Sequence, residues 1–200
     1  MTPEAAAAVA AARPRIEGVR EQEILDAAIE VLADVGYDRL TMDAVAHRAK
    51  ASKATLYRRW NSKATLVVEA IARMKSTPEA PDTGDLRSDL VATFCGHGGL
   101  SDQGTTSTFG AVVTAMSTDP EFASEFRKQV VEPKSRASRT VFERARDRGD
   151  LRDDVDLDLI VPALAGIILH RVFLLGEHPE PELIERAIDQ IILPAVRPQG

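Results

Sequence analysis

The sequence predicts an all-α protein, and three observations support this fold class. Apolar residues recur at the three- and four-residue spacing of amphipathic helices along most of the 200 residues. No segment shows the strict alternation that is typical of a half-buried strand. Helix boundaries are marked by signals such as Gly36 as an end and Asp119–Pro120 as a start. We therefore expect a tail over residues 1–16, a small helical unit over 17–75 and a second helical unit over 86–197.

The first predicted helix runs from Glu17 to Val35 and ends at Gly36, a residue for which a positive φ costs little. Its apolar stripe consists of Ile24, Ala27, Ala28, Val31, Leu32 and Val35. The preceding residues, 1–16, contain an alanine-rich run that is too short to cross a bilayer and lacks a basic lead. We therefore predict a flexible tail there, and neither a signal peptide nor a membrane anchor.

Two short helices joined by a tight turn are predicted next. Thr41 stands as an N-cap ahead of the first helix, which covers residues 42–49. The apolar stripe of this helix consists of Met42, Val45, Ala46 and Ala49. Lys50 breaks the stripe, and Ser52 is placed to cap the start of the second helix.

The second helix, over about residues 53–60, carries polar and cationic groups. Leu56 and Trp60 share one face and are expected to pack inward. The outward residues are then Lys53, Ala54, Thr55, Tyr57, Arg58 and Arg59. Small residues let a backbone approach DNA closely, hydroxyls reach phosphates or base edges, and arginine binds a guanine edge bidentately. The pair of helices therefore predicts a DNA-reading helix-turn-helix.

Charge favours the same interpretation. The whole chain has a formal net charge of −6, which by itself disfavours a nucleic-acid binder. Between Arg39 and Lys63, however, seven cations accompany a single acid, Asp43, so this window carries +6 and the rest of the chain carries −12. Attraction to phosphate is local because salt screens it. The alternative explanation of these cations is the solvated surface of a small helical bundle.

These residues resemble the TetR family of transcriptional regulators. The resemblance rests on the stripe of the first helix and on Gly36-Tyr37, Leu40-Thr41-Met42, Val45-Ala46, Ser52-Lys53-Ala54-Thr55-Leu56-Tyr57, Trp60, Ser62-Lys63 and Leu66. It implies that the helix at 42–49 supports the helix at 53–60, which enters the major groove. It also implies DNA contacts from Lys53, Ala54, Thr55, Tyr57, Arg58 and Arg59, with Thr41 and Lys63 as phosphate anchors.

Two positions depart from the family pattern. Lys50 stands where the family commonly has a glycine in the turn, and Asn61 stands where it often has proline. A lysine enters the left-handed conformation at some cost, so we expect a slightly strained turn or a turn of a different shape.

A connecting helix is predicted over about residues 62–75, followed by a linker over 76–85 that combines Pro, Gly, Thr and Asp. The second unit is expected to contain helices near 86–98, 105–118, 119–148, 156–176 and 180–196. Pro133 and Pro162 fall inside this pattern, so each predicts a kink or a break. The second unit also resembles the C-terminal ligand-binding domain of one large TetR subgroup, which implies a dimer interface and a ligand cavity.

The last two predicted helices are the candidates for the dimer interface. Their apolar stripes consist of Leu159, Leu164, Ile167, Ile168, Val172 and Leu175, and of Leu183, Ile184, Ala187, Ile188, Ile191 and Ile192. In the family, these helices pack against the same pair of a second subunit. The dimer then presents two helix-turn-helix units, called reading heads here, to successive turns of a pseudo-palindromic operator. The alternative is that the stripes only build the core of one chain.

The expected ligand is a mostly apolar small molecule that shifts the reading heads and releases DNA. Candidate pocket residues are Phe94, Cys95, His97, Phe109, Met116, Phe126, Val130, Phe142, His170 and Phe173. Plain core is the alternative for the Phe and Met residues, and a surface loop is the alternative for His97. His170 interrupts an apolar run, so it either orients a polar group of the ligand or is a hydrogen-bonded interface histidine.

An enzyme and a helical partner-binding protein are the competing classes. The sequence contains no Gly-rich phosphate loop, no His-Glu-x-x-His pair and no nucleophile elbow, and its histidines are not at ligand spacing. We therefore predict no catalytic residue, no metal and no cofactor. The acidic run Asp153–Asp158 is interpreted as a solvated helix start rather than a cation site. A partner-binding protein would differ by having no salt-sensitive affinity for DNA.

The single cysteine, Cys95, precludes an intramolecular disulfide and is compatible with a reducing cytoplasm. We interpret it as a buried, inert thiol, with a redox sensor as the alternative. The sequence thus predicts a cytoplasmic, homodimeric regulator that does not interact with a membrane, and the resemblance favours repression. The operator, the ligand and the regulated genes do not follow from these residues.

Overall fold

The computed structural model describes residues 3–74, 79–96, 100 and 103–198, with side chains described outside 3–17, 19 and 103–109. Every regular element in these ranges is helical, so the all-α fold class is confirmed. The helices are α1 (Pro3–Arg39), α2 (Met42–Arg48), α3 (Lys53–Arg59), α4 (Lys63–Met74), α5 (Leu86–Cys95), α6 (Gln103–Thr118), α7 (Pro120–Phe126), α8 (Glu132–Asp147), α9 (Leu157–Leu175), α10 (Pro181–Ala187) and α11 (Leu193–Val196). Two π-helical turns, Arg127–Val131 and Ile188–Ile192, join α7 to α8 and α10 to α11.

Helix α1 contains the first predicted helix and extends it at both ends. Gly36 has φ +75° and ψ 169°, which interrupts the helical path where the sequence predicts an end. A last turn follows, and the Leu40 amide donates to the carbonyl oxygens of Gly36 and Tyr37 at 3.2 Å each. In the other direction helical backbone reaches Pro3, over most of the range 1–16 that we predict as a tail. Alanine has the highest helix propensity, which accounts for the extension.

The chain divides into two compact units. The first contains the chain up to Ile71 together with Ala111–Glu125, and the second contains Ala72–Gly110 and the chain from Phe126 onward. The first unit therefore includes the end of α6 and most of α7, although both lie within the range predicted as a separate second unit. Helix α6 is continuous and contributes residues to both units.

The core of the first unit is built from the predicted apolar faces. Buried side chains of α1 to α4 include Ile24, Ala27, Ala28, Val31, Leu32, Met42, Val45, Ala46, Leu56, Ala64, Leu66, Val67 and Ile71, and α6 and α7 add Val112, Ala115, Phe122 and Ala123. These faces have the helical spacing that the sequence shows, so burial of apolar area fixes how each helix is rotated.

The core of the second unit contains part of each stripe that we predict for the dimer interface. It consists of Leu86, Leu90, Phe94, Val141, Phe142, Ala145, Leu151, Val155, Leu157, Val161, Leu164, Ile168, Ile184, Ala187, Ile188, Ile192, Leu193 and Val196. In contrast, Leu159, Leu175 and Ile191 of the predicted stripes are exposed. Each stripe therefore builds the core of one chain with some members and faces outward with others.

Prolines in the second unit have two different outcomes. A π-helical turn precedes Pro133 and another precedes Pro194, so the helical path changes just before each ring. A proline has no N–H to donate and its ring crowds the carbonyl one turn earlier, which the wider π-helical turn accommodates. At Pro162 the helix is not broken, because α9 runs continuously from Leu157 to Leu175.

Candidate nucleic-acid interface

The turn between α2 and α3 closes with the hydrogen bonds of a Schellman motif. The Lys50 amide donates to the His47 carbonyl at 3.1 Å, and the Ala51 amide donates to the Ala46 carbonyl at 2.8 Å. Lys50 has φ +50°, the left-handed conformation that glycine adopts without cost. Arg20 of α1 donates to the Lys50 carbonyl at 2.6 Å and so fixes the turn from outside. The strained turn expected from the Lys50 departure is therefore observed.

Both predicted N-caps are confirmed. Thr41 Oγ1 accepts from the Ala44 amide at 3.1 Å at the start of α2. Ser52 Oγ accepts from the Thr55 amide at 3.1 Å at the start of α3, and it also lies 2.8 Å from Thr55 Oγ1. These bonds satisfy amides that have no partner within their helix. The helix-turn-helix geometry thus follows from short local signals in the sequence.

Helix α3 faces inward with Leu56 and leaves most of its other side chains exposed. Leu56 is fully buried, and Trp60 directly after the helix is also buried, as the sequence predicts. Lys53, Ala54, Arg58 and Arg59 are exposed, Thr55 is half-buried, and Tyr57 is 52% exposed. An apolar anchor therefore holds α3 against the first unit while a polar row is presented outward.

Lys53 and Arg58 differ in how they are held. Lys53 Nζ lies 2.5 Å from Asp43 Oδ2, and this hydrogen bond raises the pKa of Lys53. The described residues make no ion pair or hydrogen bond with the Arg58 side chain. A guanidinium that has no internal partner keeps all of its donors for a base edge or a phosphate.

Arg59 is engaged within the unit. Its guanidinium lies 2.9 Å from Glu21 Oε1 and 3.0 Å from Glu69 Oε1, and it stacks over the Trp60 ring at 5.5 Å. The Trp60 indole N–H donates to the second oxygen of Glu69 at 2.8 Å. These contacts join α3 to α1 and α4, so Arg59 stabilises the packing of α3 in addition to being a surface cation.

The two phosphate anchors implied by the resemblance are both engaged in local bonds. Thr41 is exposed, and its hydroxyl oxygen caps α2. Lys63 Nζ donates to the Tyr37 carbonyl at 3.1 Å and lies 4.3 Å from the centre of the Tyr37 ring. The ammonium group has three donors, so one bond to a carbonyl leaves capacity for a phosphate.

The positive charge of the window Arg39–Lys63 is partly compensated by acids that the window does not contain. Arg48 pairs with Glu30 at 3.0 Å and with Asp34 at 2.7 Å, and Arg59 pairs with carboxylates of α1 and α4. Counting charge along the sequence missed these pairs because their partners lie on other helices. Trp60 is the signal that points to one of them, since a buried indole N–H needs an acceptor.

The pocket candidates do not form one group. Phe94 and Phe142 belong to the core cluster of the second unit. Phe126 and Val130 are buried in the same unit but are not members of that cluster. Met116 is half-buried in the first unit. His97 and the side chain of Phe109 lie outside the described residues. The candidates that the structure describes are therefore divided between the core of the second unit, the first unit and the exposed surface.

His170 and Phe173 are exposed on α9. His170 therefore lies at the surface of the single chain rather than in an apolar core, and apolar neighbours on α9 are exposed with it. The reason is helical geometry, because Ile168 turns into the core while His170 points to another side of α9.

The structure also describes Cys95 and the acidic run 153–158. Burial raises the pKa of the half-buried Cys95 thiol, which disfavours the reactive thiolate of a redox sensor. In the acidic run, Asp156 caps α9 by accepting from the Asp158 amide at 2.8 Å, while Asp154 pairs with Arg152 and Asp158 pairs with Arg139. In the part of the chain that the structure describes, no group of three or more His, Cys, Asp or Glu residues is placed to hold a metal ion.

Comparison with known proteins places this geometry in a family. Residues 24–70 match the model of bacterial regulatory proteins of the tetR family, and residues 80–191 match the model of the tetracyclin repressor-like C-terminal domain. A solved structure of a TetR family transcription regulator, SCO0332, is 28% identical, covers 88% of this chain and 97% of its own, and superposes with a TM-score of 0.68.

Two curated relatives span nearly the whole chain. A protein of Mycobacterium tuberculosis named as an uncharacterized HTH-type transcriptional regulator is 34% identical over 181 residues, which cover 88% of each chain. The DNA-binding transcriptional repressor TetR of Mycobacteroides abscessus is 33% identical over 181 residues, which cover 90% of this chain and 95% of that protein. With the helix-turn-helix geometry of α2 and α3, these matches establish that the chain belongs to the TetR family of DNA-binding transcriptional regulators and is not an enzyme.

Proposed function

We propose that this regulator is a homodimeric, cytoplasmic repressor that binds a pseudo-palindromic operator and releases it when a mostly apolar small molecule binds the second unit. The observation that carries the proposal is the exposed row of α3, in which Tyr57 and Arg58 stand outward over the buried Leu56. An element that is anchored by its apolar side and is polar on the other suits entry into the major groove. The relative from Mycobacteroides abscessus is named a repressor, which supports the sign of regulation.

The contacts divide into two classes. Lys53, Ala54, Thr55, Tyr57 and Arg58 of α3 approach base edges and neighbouring phosphates, and Arg58 is the candidate for a guanine edge because its donors are free in the described structure. Thr41 and Lys63 bind the phosphate backbone of the DNA on either side of the groove. Arg59 contributes mainly by fixing α3 against Glu21 and Glu69, with any DNA contact as a secondary role.

The exposed apolar side of α9 supports dimerisation. Eight large apolar side chains are exposed in the described part of the chain, and five of them lie on α9 or in the π-helical turn after α10: Leu159, Phe173, Leu174, Leu175 and Ile191. Leu159, Phe173 and Leu174 share one side of α9 with His170 by helical spacing. A contiguous apolar surface of this kind is typical of an interface. It favours the interface role of His170 over the ligand role.

The apolar character of α9 would also suit a membrane-spanning helix, but a dimer interface accounts for it better. Among the described residues α9 is the one helix long and apolar enough to cross a membrane by length and composition. Its other side, however, is built into a core that includes Val161, Leu164 and Ile168. A helix that is half core and half exposed fits pairing with a second chain.

The ligand is placed by this proposal among the helices of the second unit. Phe94 and Phe142 lie in one apolar core that α5, α8 and α9 share. Binding between such helices alters their packing, and a ligand that prefers the altered state shifts the equilibrium away from DNA binding.

The proposal is tested by selecting fragments of the source genome with the purified full-length chain at near-physiological salt. We expect enrichment of a pseudo-palindromic site, and loss of that enrichment in Arg58→Ala. Selection with Arg127→Ala, which removes an exposed arginine of the second unit, is the matched control and should retain the site. Enrichment of a single half-site by a monomer would contradict the dimer, and absence of any salt-sensitive DNA binding by the folded chain would contradict the operator model.

A further inference from the structure

Tyr37 makes contacts with two charged residues from different parts of the first unit. Its hydroxyl donates to Asp119 Oδ2 at 2.6 Å, across 82 positions of sequence. Its carbonyl oxygen accepts from Lys63 Nζ at 3.1 Å, and its ring lies under the same ammonium group at 4.3 Å. Tyr37 is itself only 3% exposed. One buried residue therefore connects Asp119 with Lys63.

Asp119 is held in place as firmly as Tyr37. Its Oδ1 accepts from the amides of Glu121 and Phe122, at 3.0 and 3.1 Å, and so caps the start of α7. The Phe122 ring packs edge-on against the Tyr37 ring, with 4.8 Å between their centres. Phe122 is fully buried. The carboxylate, both rings and the first turn of α7 thus form one packed group.

A second tie joins the same segment to the residue before Lys63. Ser62 Oγ donates to Glu121 Oε1 at 2.7 Å. Ser62 also caps the start of α4, because its hydroxyl oxygen accepts from the Thr65 amide at 3.2 Å and its amide donates to Thr65 Oγ1 at the same distance. The start of α4 is therefore held by α7 at Ser62 and, through Tyr37, at Lys63.

We propose that Asp119 is a positioning residue for DNA binding, because it fixes Tyr37 and Tyr37 holds the Lys63 ammonium group where it meets a phosphate. The inference rests on the phosphate contact proposed above for Lys63. A lysine side chain has many rotamers, and binding is weaker when they must first be restricted. The carbonyl and ring of Tyr37 restrict them before DNA arrives. Affinity for DNA is then set partly by a residue outside the helix-turn-helix.

The protonation states suit this role. Burial and the hydrogen bond to Asp119 raise the pKa of Tyr37, so its hydroxyl stays a donor. The same hydrogen bond and the cap of α7 lower the pKa of Asp119, so it stays an ionised acceptor.

The test measures the affinity of the full-length chain for a random-sequence DNA duplex over a series of salt concentrations. One phosphate contact contributes about 0.9 to the slope of log affinity against log salt, which is about eightfold in affinity near 0.1 M salt. We expect Lys63→Ala to lose about this much per chain. Tyr37→Phe removes only the hydroxyl. We expect this variant to stay folded and to lose part of that affinity at a nearly unchanged slope, because the phosphate contact still forms once Lys63 has been ordered.

The decisive comparison is the double variant. If Tyr37 acts through Lys63, adding Tyr37→Phe to Lys63→Ala causes no further loss. Asp119→Ala should behave like Tyr37→Phe, and Asp119→Asn should restore most of the affinity because an asparagine oxygen still accepts and caps a helix. If Tyr37→Phe does not fold, the comparison of Asp119→Ala with Asp119→Asn tests the same link between Asp119, Tyr37 and Lys63. Ser117→Ala, which removes a hydroxyl that donates to the Thr114 carbonyl within α6, is the matched control and should change nothing.

Two results would overturn the proposal. Additive losses in the double variant would mean that Tyr37 and Asp119 support the fold and not Lys63. An unchanged affinity and slope in Lys63→Ala would instead refute the phosphate contact itself, and that outcome is recognised without any Tyr37 variant.

Discussion

Arg59 and Glu69 form an ion pair that joins α3 to α4, with 3.0 Å between the guanidinium nitrogen and Oε1. Arg58, the preceding residue, has no such partner among the described residues. Two adjacent arginines of the same helix thus have different tasks. The difference is not visible in the sequence, where both are cations in a basic window.

We predict that Arg58→Ala and Arg59→Ala separate DNA affinity from stability. Arg58→Ala should weaken operator binding by about 1–3 kcal/mol per half-site, as expected for loss of a bidentate base contact, with an unchanged urea midpoint. Arg59→Ala should lower the free energy of unfolding by about 1 kcal/mol, since the pair is partly exposed and screened. Urea unfolding and operator titration of both variants measure this. Equal losses of affinity at unchanged stability would show that both arginines read DNA.

Lys50→Gly is predicted to stabilise the chain. A side chain in the left-handed conformation costs about 1–2 kcal/mol, and glycine avoids this cost but loses more freedom on folding, so we expect a net gain of about 1 kcal/mol. The hydrogen bond from Arg20 is kept in the variant, because it is made to the Lys50 backbone carbonyl. Lys50→Ala is the control, since it removes the charge and keeps the strain. If both variants changed the urea midpoint equally, the charge and not the backbone would be the cause.

The local structure of the first unit was predictable because its signals are local. Thr41 and Ser52 cap α2 and α3, Gly36 takes a positive φ, and Leu56 turns inward, all of which follow from residues within one turn of each site. The left-handed Lys50 followed from the same logic.

The side-chain partners were not predictable because they depend on tertiary packing. Glu69 lies ten positions after Arg59, and Asp119 lies 82 positions after Tyr37. No sequence spacing relates residues on different helices before the fold is known. For the same reason the sequence placed residues 111–125 in the second unit, whereas the structure groups them with the first. The outward position of His170 likewise depends on which side of α9 the core covers.

Asp119 is expected to make stability depend on pH in the acid range. Its pKa is lowered in the folded chain by the Tyr37 hydroxyl and the α7 amides. A lowered pKa means that the stabilisation is complete above the ordinary Asp value of about 3.9 and is lost as pH falls through the folded value. The free energy of unfolding of the wild type should therefore exceed that of Asp119→Asn by a constant amount between neutral pH and about pH 3.9. Below that pH the difference should shrink, and it should vanish in strong acid.

Urea midpoints of both chains over an acid pH series measure this effect, and taking their difference removes the titration of other carboxylates. Asp153→Asn is a suitable control for the loss of one exposed negative charge. A difference between wild type and Asp119→Asn that grows as pH falls would have the opposite sign and would contradict the role of Asp119 as an ionised acceptor.

Replacing Leu174 by lysine is predicted to give a folded monomer. Leu174 is 74% exposed and Leu159 is 72% exposed, so neither contributes much to the core of one chain. In a dimer through α9 both are covered, and an unpaired buried charge costs several kcal/mol. We expect Leu174→Lys and Leu159→Lys to keep wild-type helicity, to sediment as monomers and to lose operator binding, because two linked reading heads are needed to span the half-sites.

Val113→Lys supplies the control, since Val113 is 48% exposed but belongs to the first unit. A wild-type chain that is already monomeric at micromolar concentration, or a Leu174→Lys variant that still forms dimers, would exclude this side of α9 as the interface.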